Sequence, residues 1–281
     1  MIILLAAILA AGTAHASNID PACQAVATAA QANPPADQDQ QDYLLNFFSL
    51  STTFSPLHGF MPNEPGHGAI SFEASVIPPV SCYHRLVFGA TKTEDTNKAP
   101  VLPRPRITFT FPMLGPIALY GGLGYVPPLT VFGTRNVIAS GEAGIALPLK
   151  SGLGFGLRYH YTMLKTVADV ATAFDPTAPP VLDFYSGSTY GVDAMAGYNL
   201  HIGKGDHPLA LSPYVALGFT NVATFFWVGD DGVVASNHTP YQGFTGSAGT
   251  QAQWKRIQGA AEFYTAPGYV YTARFRIGVA I

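Results

Sequence analysis

Apolar and polar residues alternate along much of the chain, a pattern typical of strands with one apolar and one polar face. The last segment shows this alternation over its full length. One face carries Tyr269, Tyr271, Ala273, Phe275, Ile277, Val279 and Ile281, and the other carries Val270, Thr272, Arg274, Arg276, Gly278 and Ala280. The chain therefore ends on an unbroken apolar stripe backed by two arginines.

The same alternation predicts about twelve strands. Their approximate bounds are 46–56, 69–77, 83–92, 104–111, 116–126, 135–147, 153–164, 189–202, 212–228, 232–241, 252–264 and 269–281. Tight turns join several neighbours, which predicts an antiparallel meander. Segments 46–56 and 232–241 are the weakest, so ten strands is the alternative. With twelve strands and both termini on one side, the long loop 165–188 falls on the other side, as it does in membrane barrels.

Arginine and acidic side chains fall on the polar faces of these segments. The polar side carries Arg85, Arg104, Arg106, Arg158, Arg256, Arg274 and Arg276, together with Glu73, Glu142, Asp193, Glu262 and His160. A turn at 266–268 makes Glu262 and Arg274 diagonal neighbours across a hairpin. We interpret this set as lining the interior of a barrel.

The composition separates two all-β folds. Charged residues make up 11% of the chain, against about 25% in soluble domains. A soluble β-sandwich would turn the arginines to water, yet the polar faces are poor in charge and rich in Gly and Thr. A closed transmembrane barrel is apolar outside and polar inside, with no unpaired strand edge in lipid. We predict an all-β, closed, antiparallel up-and-down transmembrane β-barrel with a short helical N-terminal segment.

The first residues predict export. An apolar stretch over 2–11 precedes Ala14-His15-Ala16, which has the small residues of a cleavage site. We divide the chain into a signal peptide at 1–16, a periplasmic N-terminal segment at 17–45 and a barrel at 46–281.

With these features the sequence resembles Gram-negative outer-membrane β-barrel proteins. The resemblance rests on the signal peptide, the short alternating segments, the last strand and aromatic residues suited to membrane interfaces, namely Tyr159, Tyr161, Tyr198 and Tyr271. It is architectural and covers residues 46–281. It implies a location in the outer membrane, contact with its lipids and recognition of the C-terminal strand by the barrel-assembly machinery. That strand usually ends on Phe or Trp, and Ile281 departs from this pattern.

Cys23 and Cys82 are the two cysteines of a chain predicted to enter an oxidising compartment. The twelve-strand topology places both on the periplasmic side, so we expect a disulfide, with two free thiols as the alternative. Asp20 and Pro21 favour the start of a short helix, and ADQDQQD is expected to be a polar tether. The helix is either a plug at the barrel mouth or part of a disordered leader.

The sequence offers little for catalysis or metal binding. No serine is clearly paired with His160, although Ser140 is near it in hairpin register, and His58 and His67 lack metal-ligand spacing. A net charge of −3 gives no basic surface for nucleic acid. We expect no enzyme activity, no cofactor, no metal and no nucleic-acid partner.

The inward-facing residues define the functional hypotheses. Their excess of arginine favours a narrow porin or channel for small, preferably anionic solutes. One alternative is a hydrophobic-solute transporter that uses the apolar residues of loop 165–188, namely Val167, Val170, Phe174, Val181, Leu182 and Phe184. Others are a non-conducting structural or adhesive barrel and, least favoured, a soluble secreted β-sandwich. An interior filled by charge pairs that only stabilise the barrel remains an open alternative.

Overall fold

A computed structural model describes residues 19–87, 89–93, 100–131, 134–169, 182–203, 208–228 and 233–281. After a 3-10 turn at Pro21–Cys23 come the helices α1 (Gln24–Ala30), α2 (Asp37–Ser51) and α3 (Cys82–Arg85). The described part of the chain contains no helix of the length and apolarity needed to cross a membrane. The predicted signal peptide at 1–16 and the side chains proposed for an apolar-solute pocket at 167–184 lie outside the described residues.

Fourteen strands are described. They are β1 (Gly68–Val76), β2 (Leu86–Val87), β3 (Lys92–Thr93), β4 (Val101–Thr110), β5 (Ala118–Val131), β6 (Thr134–Pro148), β7 (Leu153–Asp169), β8 (Leu182–Tyr198), β9 (Leu200–Ile202), β10 (Leu209–Val228), β11 (Val233–Ser236), β12 (Gln242–Trp254), β13 (Ile257–Ala266) and β14 (Val270–Ala280).

Ten of the described strands close a ring in which every pair is antiparallel. The order is β10-β12-β13-β14-β1-β4-β5-β6-β7-β8, and β8 pairs with β10 to complete it. Strand β9 also pairs with β10, and β11 lies outside the ring against the far end of β10. The predicted closed antiparallel barrel is confirmed, with ten ring strands in place of twelve.

The wall strands turn apolar side chains outward and keep their buried charged side chains inside the barrel. On β14, Ile277 is 65% exposed whereas its neighbour Arg276 is 3% exposed. Leu217 on β10 is 63% exposed, and Thr220 on the same strand is fully buried. The apolar stripe of the last strand is therefore part of the outer wall, and its arginines point inward.

The two ends of the barrel differ. At one end lie the C-terminus and the turns 111–117, 149–152 and 255–256; this is the short-turn end. At the other end β1, β5, β7, β10 and β13 finish and the next ring strands begin. This is the long-loop end, because the strand ends there are separated by the longest stretches of sequence, as between Val76 and Val101, Asp169 and Leu182, and Val228 and Gln242.

Residues 37–63, here called the inserted segment, run through the barrel. Helix α2 enters at the long-loop end, where Asn46 contacts Thr239 and Tyr43 stacks on Tyr269. The following residues continue in extended form to Asn63, whose amide donates to Thr108 near the short-turn end. The chain then turns into β1 at that end, where the Gly68 amide donates to the carbonyl of Ile281.

This path corrects one predicted strand and the predicted tether. Segment 46–56 is the end of α2 and the start of the extended stretch, and the expected tether ADQDQQD forms the first turns of α2. Residues such as Leu44, Leu45, Phe47 and Leu50 are buried on several sides of the helix because the barrel surrounds it. The usual one-sided helical pattern is therefore absent.

Two other predicted strands also differ from the structure. Segment 83–92 contains α3 and the two-residue strands β2 and β3, and none of these joins the ring. Segment 252–264 covers the end of β12, a turn at 255–256 and most of β13, while residues 242–251 of β12 fall outside every predicted strand. The sequence around this turn, Trp254-Lys255-Arg256, carries no Gly or Pro to mark it.

Residues 19–36 and 77–93, here called the cap, lie at the long-loop end. The predicted disulfide is confirmed, since Cys23 and Cys82 are bonded with a Cα–Cα distance of 5.3 Å. The prediction that they share an end with the C-terminus is wrong. Both cysteines lie at the end opposite Ile281, because the chain crosses the barrel once through its interior before the first strand begins.

Candidate functional site

The half of the interior near the long-loop end is apolar. Leu44, Phe47 and Leu50 of α2 pack against Val222, Tyr264 and Val270 of the wall. On the other side of the helix, Leu45 packs against Val126, Ile138, Leu164 and Tyr185. The Tyr185 hydroxyl donates to the Leu45 carbonyl at 2.9 Å and shares a 2.6 Å hydrogen bond with Ser49. These contacts fix the helix to opposite walls.

Two arginines satisfy the carbonyl groups at the C-terminal end of α2. Arg274 Nη1 donates to the Thr53 carbonyl at 2.6 Å, and its Nη2 lies 3.4 Å from the carbonyls of Leu50 and Ser51. Arg104 Nη1 donates to the Thr52 carbonyl at 3.0 Å. The last carbonyls of a helix have no partner within the helix and carry its negative partial charge, which favours nearby cations.

Phe54 follows directly and lies among three arginines. Its ring centroid is 4.0 Å from the guanidinium carbon of Arg106 and 4.7 Å from that of Arg104. Its carbonyl accepts from Arg158, and its amide donates to the Thr162 hydroxyl at 3.0 Å. Cations over an aromatic face are attracted by the ring quadrupole, more strongly where water is absent.

Carboxylates from three strands balance these arginines. Glu73 accepts from Arg104 Nη2 at 2.5 Å and from Arg106 Nη1 at 3.5 Å. Glu142 accepts from Arg106 Nη2 at 2.6 Å and from Arg158 Nε at 2.5 Å. Asp193 accepts from Arg158 Nη1 at 2.5 Å. The network is buried and links β1, β4, β6, β7 and β8 around Phe54.

Toward the short-turn end, wall side chains hold the backbone of the inserted segment. Glu262 Oε2 accepts from the Leu57 amide at 3.0 Å, and Gln251 accepts from the Gly59 amide at 3.0 Å. His58 Nε2 lies 3.4 Å from Glu142 Oε2. Backbone groups that would be unpaired inside the barrel thus have partners on the wall.

Glycines on the inner face make room for the inserted segment. A Cβ at Gly154 would collide with the Phe60 ring, and one at Gly124 would lie 3.0 Å from Phe54 Cε2. A Cβ at Gly197 would also lie 3.2 Å from Phe60. Inward-facing glycines are the sequence signal that could have revealed a filled interior.

Most of the predicted lumen residues face inward, but they contact the inserted segment or one another. This holds for Arg104, Arg106, Glu142, Arg158, Asp193, Glu262 and Arg274. His160 is buried with Nε2 3.8 Å from Asp193 Oδ2, and Arg276 is also buried. Ser140 faces Thr162 rather than His160, and its hydroxyl accepts from Arg104.

Two of the predicted lumen positions are wrong. Arg256 lies in the turn between β12 and β13 and is exposed, because segment 252–264 is a hairpin rather than one strand. Arg85 ends α3 in the cap, where Nη1 lies 3.1 Å from Asp20 Oδ2. Glu262 lies directly opposite Arg274, not diagonal to it, because the connecting loop is 267–269.

The cap carries titratable groups of its own. His84 stacks on Tyr43 with ring centroids 3.7 Å apart, and partial burial lowers the pKa of His84. The hydrogen bond from the Ala22 amide lowers the pKa of the Asp20 carboxyl, with a smaller contribution from Arg85.

The closed ring, the apolar outer wall and the charged interior decide the fold class. The chain folds as a closed antiparallel β-barrel with an apolar outer wall and a charged interior. No protein-family model matches it, and no curated protein matches its sequence.

Solved structures of similar shape have low sequence identity. The translocator domain of the autotransporter NalP from Neisseria meningitidis is 11% identical, with a TM-score of 0.43, over 90% of this chain and 96% of that one. The transport unit of AIDA-I from Escherichia coli is 8% identical, with a TM-score of 0.36, over 88% and 98%. The P. putida toluene transporter TodX is 10% identical, with a TM-score of 0.33, over 82% and 73%.

Proposed function

We propose that the protein is a non-conducting barrel in the outer membrane of a Gram-negative bacterium, and that it anchors its cap at the cell surface. The observation that carries this proposal is the direction of the inserted segment. It places the cap and Ile281 at opposite ends of the barrel. Outer-membrane barrels turn their long loops outward and their short turns to the periplasm, and the cap lies with the long loops.

The contacts of the inserted segment support a closed interior. Phe54 is fully buried among arginines from β4 and β7, and Phe60 packs against inner-face glycines. A porin for small anions, the other candidate, requires this segment to leave or shift. The arginine excess of the interior favours anions only in that open state. In this proposal, membrane lipids contact the outer wall and the barrel-assembly machinery binds β14. We assign no catalytic activity.

Epitope access on intact cells tests the orientation. One epitope is inserted between Asn33 and Pro34 in the cap, and the matched control carries it between Lys255 and Arg256 in a short turn. We expect antibody to bind intact cells with the cap epitope and to bind the control only after the outer membrane is opened. The reverse result would overturn the surface location of the cap.

Conductance in planar bilayers tests the closed state. The folded full-length protein is inserted alongside a well-characterised porin as the insertion control. We expect no single-channel steps from this protein, because the inserted segment fills the interior. Regular steps with a reversal potential set by the anion would instead favour the porin.

A further inference from the structure

Arg276 differs from the other arginines in the barrel interior. It is 3% exposed, and its Nε, Nη1 and Nη2 atoms have no hydrogen-bond partner among the described residues. Arg104, Arg106, Arg158 and Arg274 each donate to carbonyl or carboxylate oxygens. Burying a guanidinium without partners is costly, so a group that supplies acceptors at this position would stabilise the fold.

Three of the four oxygens of the neighbouring carboxylates have other partners. Glu73 lies opposite Arg276 on β1, but its oxygens accept from Arg104, Arg106 and Ser75. Glu262 lies two pairs further along β13 and directs Oε2 to the Leu57 amide and the Tyr214 hydroxyl. Its Oε1 has no hydrogen-bond partner among the described residues, Arg276 included.

Arg276 also affects the balance of charge inside the barrel. Among the buried side chains of the described wall strands, five arginines, Arg104, Arg106, Arg158, Arg274 and Arg276, face four carboxylates, Glu73, Glu142, Asp193 and Glu262. A fifth buried carboxylate, Asp42 of α2, lies at the long-loop end and accepts from the amides of His238 and Thr239. The wall strands thus carry one positive charge in excess, and Arg276 is the arginine without an acceptor.

We propose that Arg276 binds one small monovalent anion, of halide size, inside the barrel. The anion supplies acceptors to the guanidinium and balances the excess positive charge of the wall strands. Arg276 lies on β14, between Ala260 of β13 and Glu73 of β1. This structural anion is independent of conduction and of the orientation of the cap.

The first test measures unfolding of the full chain in detergent by heat-modifiability on gels. Sodium bromide or chloride is compared with sodium gluconate at equal ionic strength. We expect halide to raise the midpoint by about 2 to 4 °C, Arg276→Gln to abolish the rise, and Arg256→Gln, at an exposed turn arginine, to retain it. A wild-type midpoint that does not respond to halide, or an equal response in Arg276→Gln, would overturn the proposal.

The second test does not depend on a variant that folds. Crystals of the wild-type protein grown in bromide are examined by anomalous scattering. A bromide peak within hydrogen-bond distance of the Arg276 guanidinium is expected. Peaks only at exposed lysines, or water alone between Arg276 and Glu262, would overturn the proposal, whichever way the conductance experiment came out.

Discussion

The guanidinium of Arg158, on the wall strand β7, donates a hydrogen bond to the backbone carbonyl of Phe54 in the inserted segment. The two residues are far apart in the sequence, and their contact lies where the interior changes from apolar to charged. Arg158 is held in turn by Glu142 and Asp193. The inserted segment is therefore built into the charge network of the wall rather than resting in an open pore.

Replacing Phe54 by Ala tests this integration. The side chain is fully buried against Arg104 and Arg106, so we expect a loss of about 3–5 kcal/mol in unfolding free energy. The midpoint of heat-modifiability should fall. The matched control is Phe244→Ala, since Phe244 is 66% exposed on the outer wall. Equal losses in the two variants would contradict the central position of Phe54.

Glu142 is the carboxylate that pairs with arginines of two different wall strands, Arg106 of β4 and Arg158 of β7. In Glu142→Gln, Arg106 and Arg158 lose a common counter-charge, and breaking a buried pair in this way costs about 3–5 kcal/mol. We expect a large fall in the urea midpoint of the refolded protein. Glu64→Gln, at an exposed position before β1, should leave the midpoint unchanged. A stable Glu142→Gln variant would show that the network contributes little.

The wall of this barrel was predictable from the sequence, and its contents were not. Alternation assigns the faces of β4, β7 and β14 because period two is fixed by the pleat. It fails at 46–56, because residues 43–51, YLLNFFSLS, are apolar at many positions and form a helix that is buried on several sides. A helix enclosed by a barrel needs no polar stripe. Neither the two-residue period of a strand nor the 3.6-residue period of an amphipathic helix is therefore visible there.

The strand count failed for a related reason. Segments 46–56, 83–92 and 232–241 are not ring strands, and most of β12, residues 242–251, was not predicted as a strand. The turn between β12 and β13 was missed because Lys255, with a φ of 53°, takes the left-handed conformation usually left to Gly or Asn. These errors placed Cys82 at the same end as the C-terminus, whereas it lies at the opposite end. The disulfide pairing itself was correctly predicted because it depends only on the two cysteines lying at the same end.

The free-energy cost of placing a charge on the outer wall should depend on how deep in the bilayer the charge lies. Leu217 is in the middle of β10 and 63% exposed, and Leu114 is in a turn at the short-turn end and 62% exposed. In lipid vesicles we expect Leu217→Lys to cost about 2–4 kcal/mol and Leu114→Lys about 0–1 kcal/mol. Folding yield against urea measures both. Equal costs would indicate that this face does not meet a bilayer core.

The disulfide should hold the cap in place. Cys23 and Cys82 are 59 residues apart, and closing a loop of that length contributes about 4 kcal/mol in the chain-entropy account. In the Cys23→Ser/Cys82→Ser variant we expect faster proteolysis at 19–36, while the barrel still shifts on unboiled gels. Cleavage at the same rate with and without the bond would show that the other contacts of the cap suffice.

The stacked pair His84 and Tyr43 makes the cap sensitive to acid. Burial lowers the pKa of His84 below its ordinary 6.5, so the unfolded cap binds a proton at a higher pH than the folded cap does. The contribution of neutral His84 to the stability of the cap is complete above pH 6.5. It declines as the pH falls toward the lowered pKa that His84 has in the folded state. The lowered pKa of Asp20 acts in the same direction, but only below its ordinary 3.8.

Protease protection of residues 19–36 should therefore weaken between pH 7.5 and 5.5, and His84→Gln should remove the pH dependence over that range. An identical pH profile in the variant would assign the effect to another group.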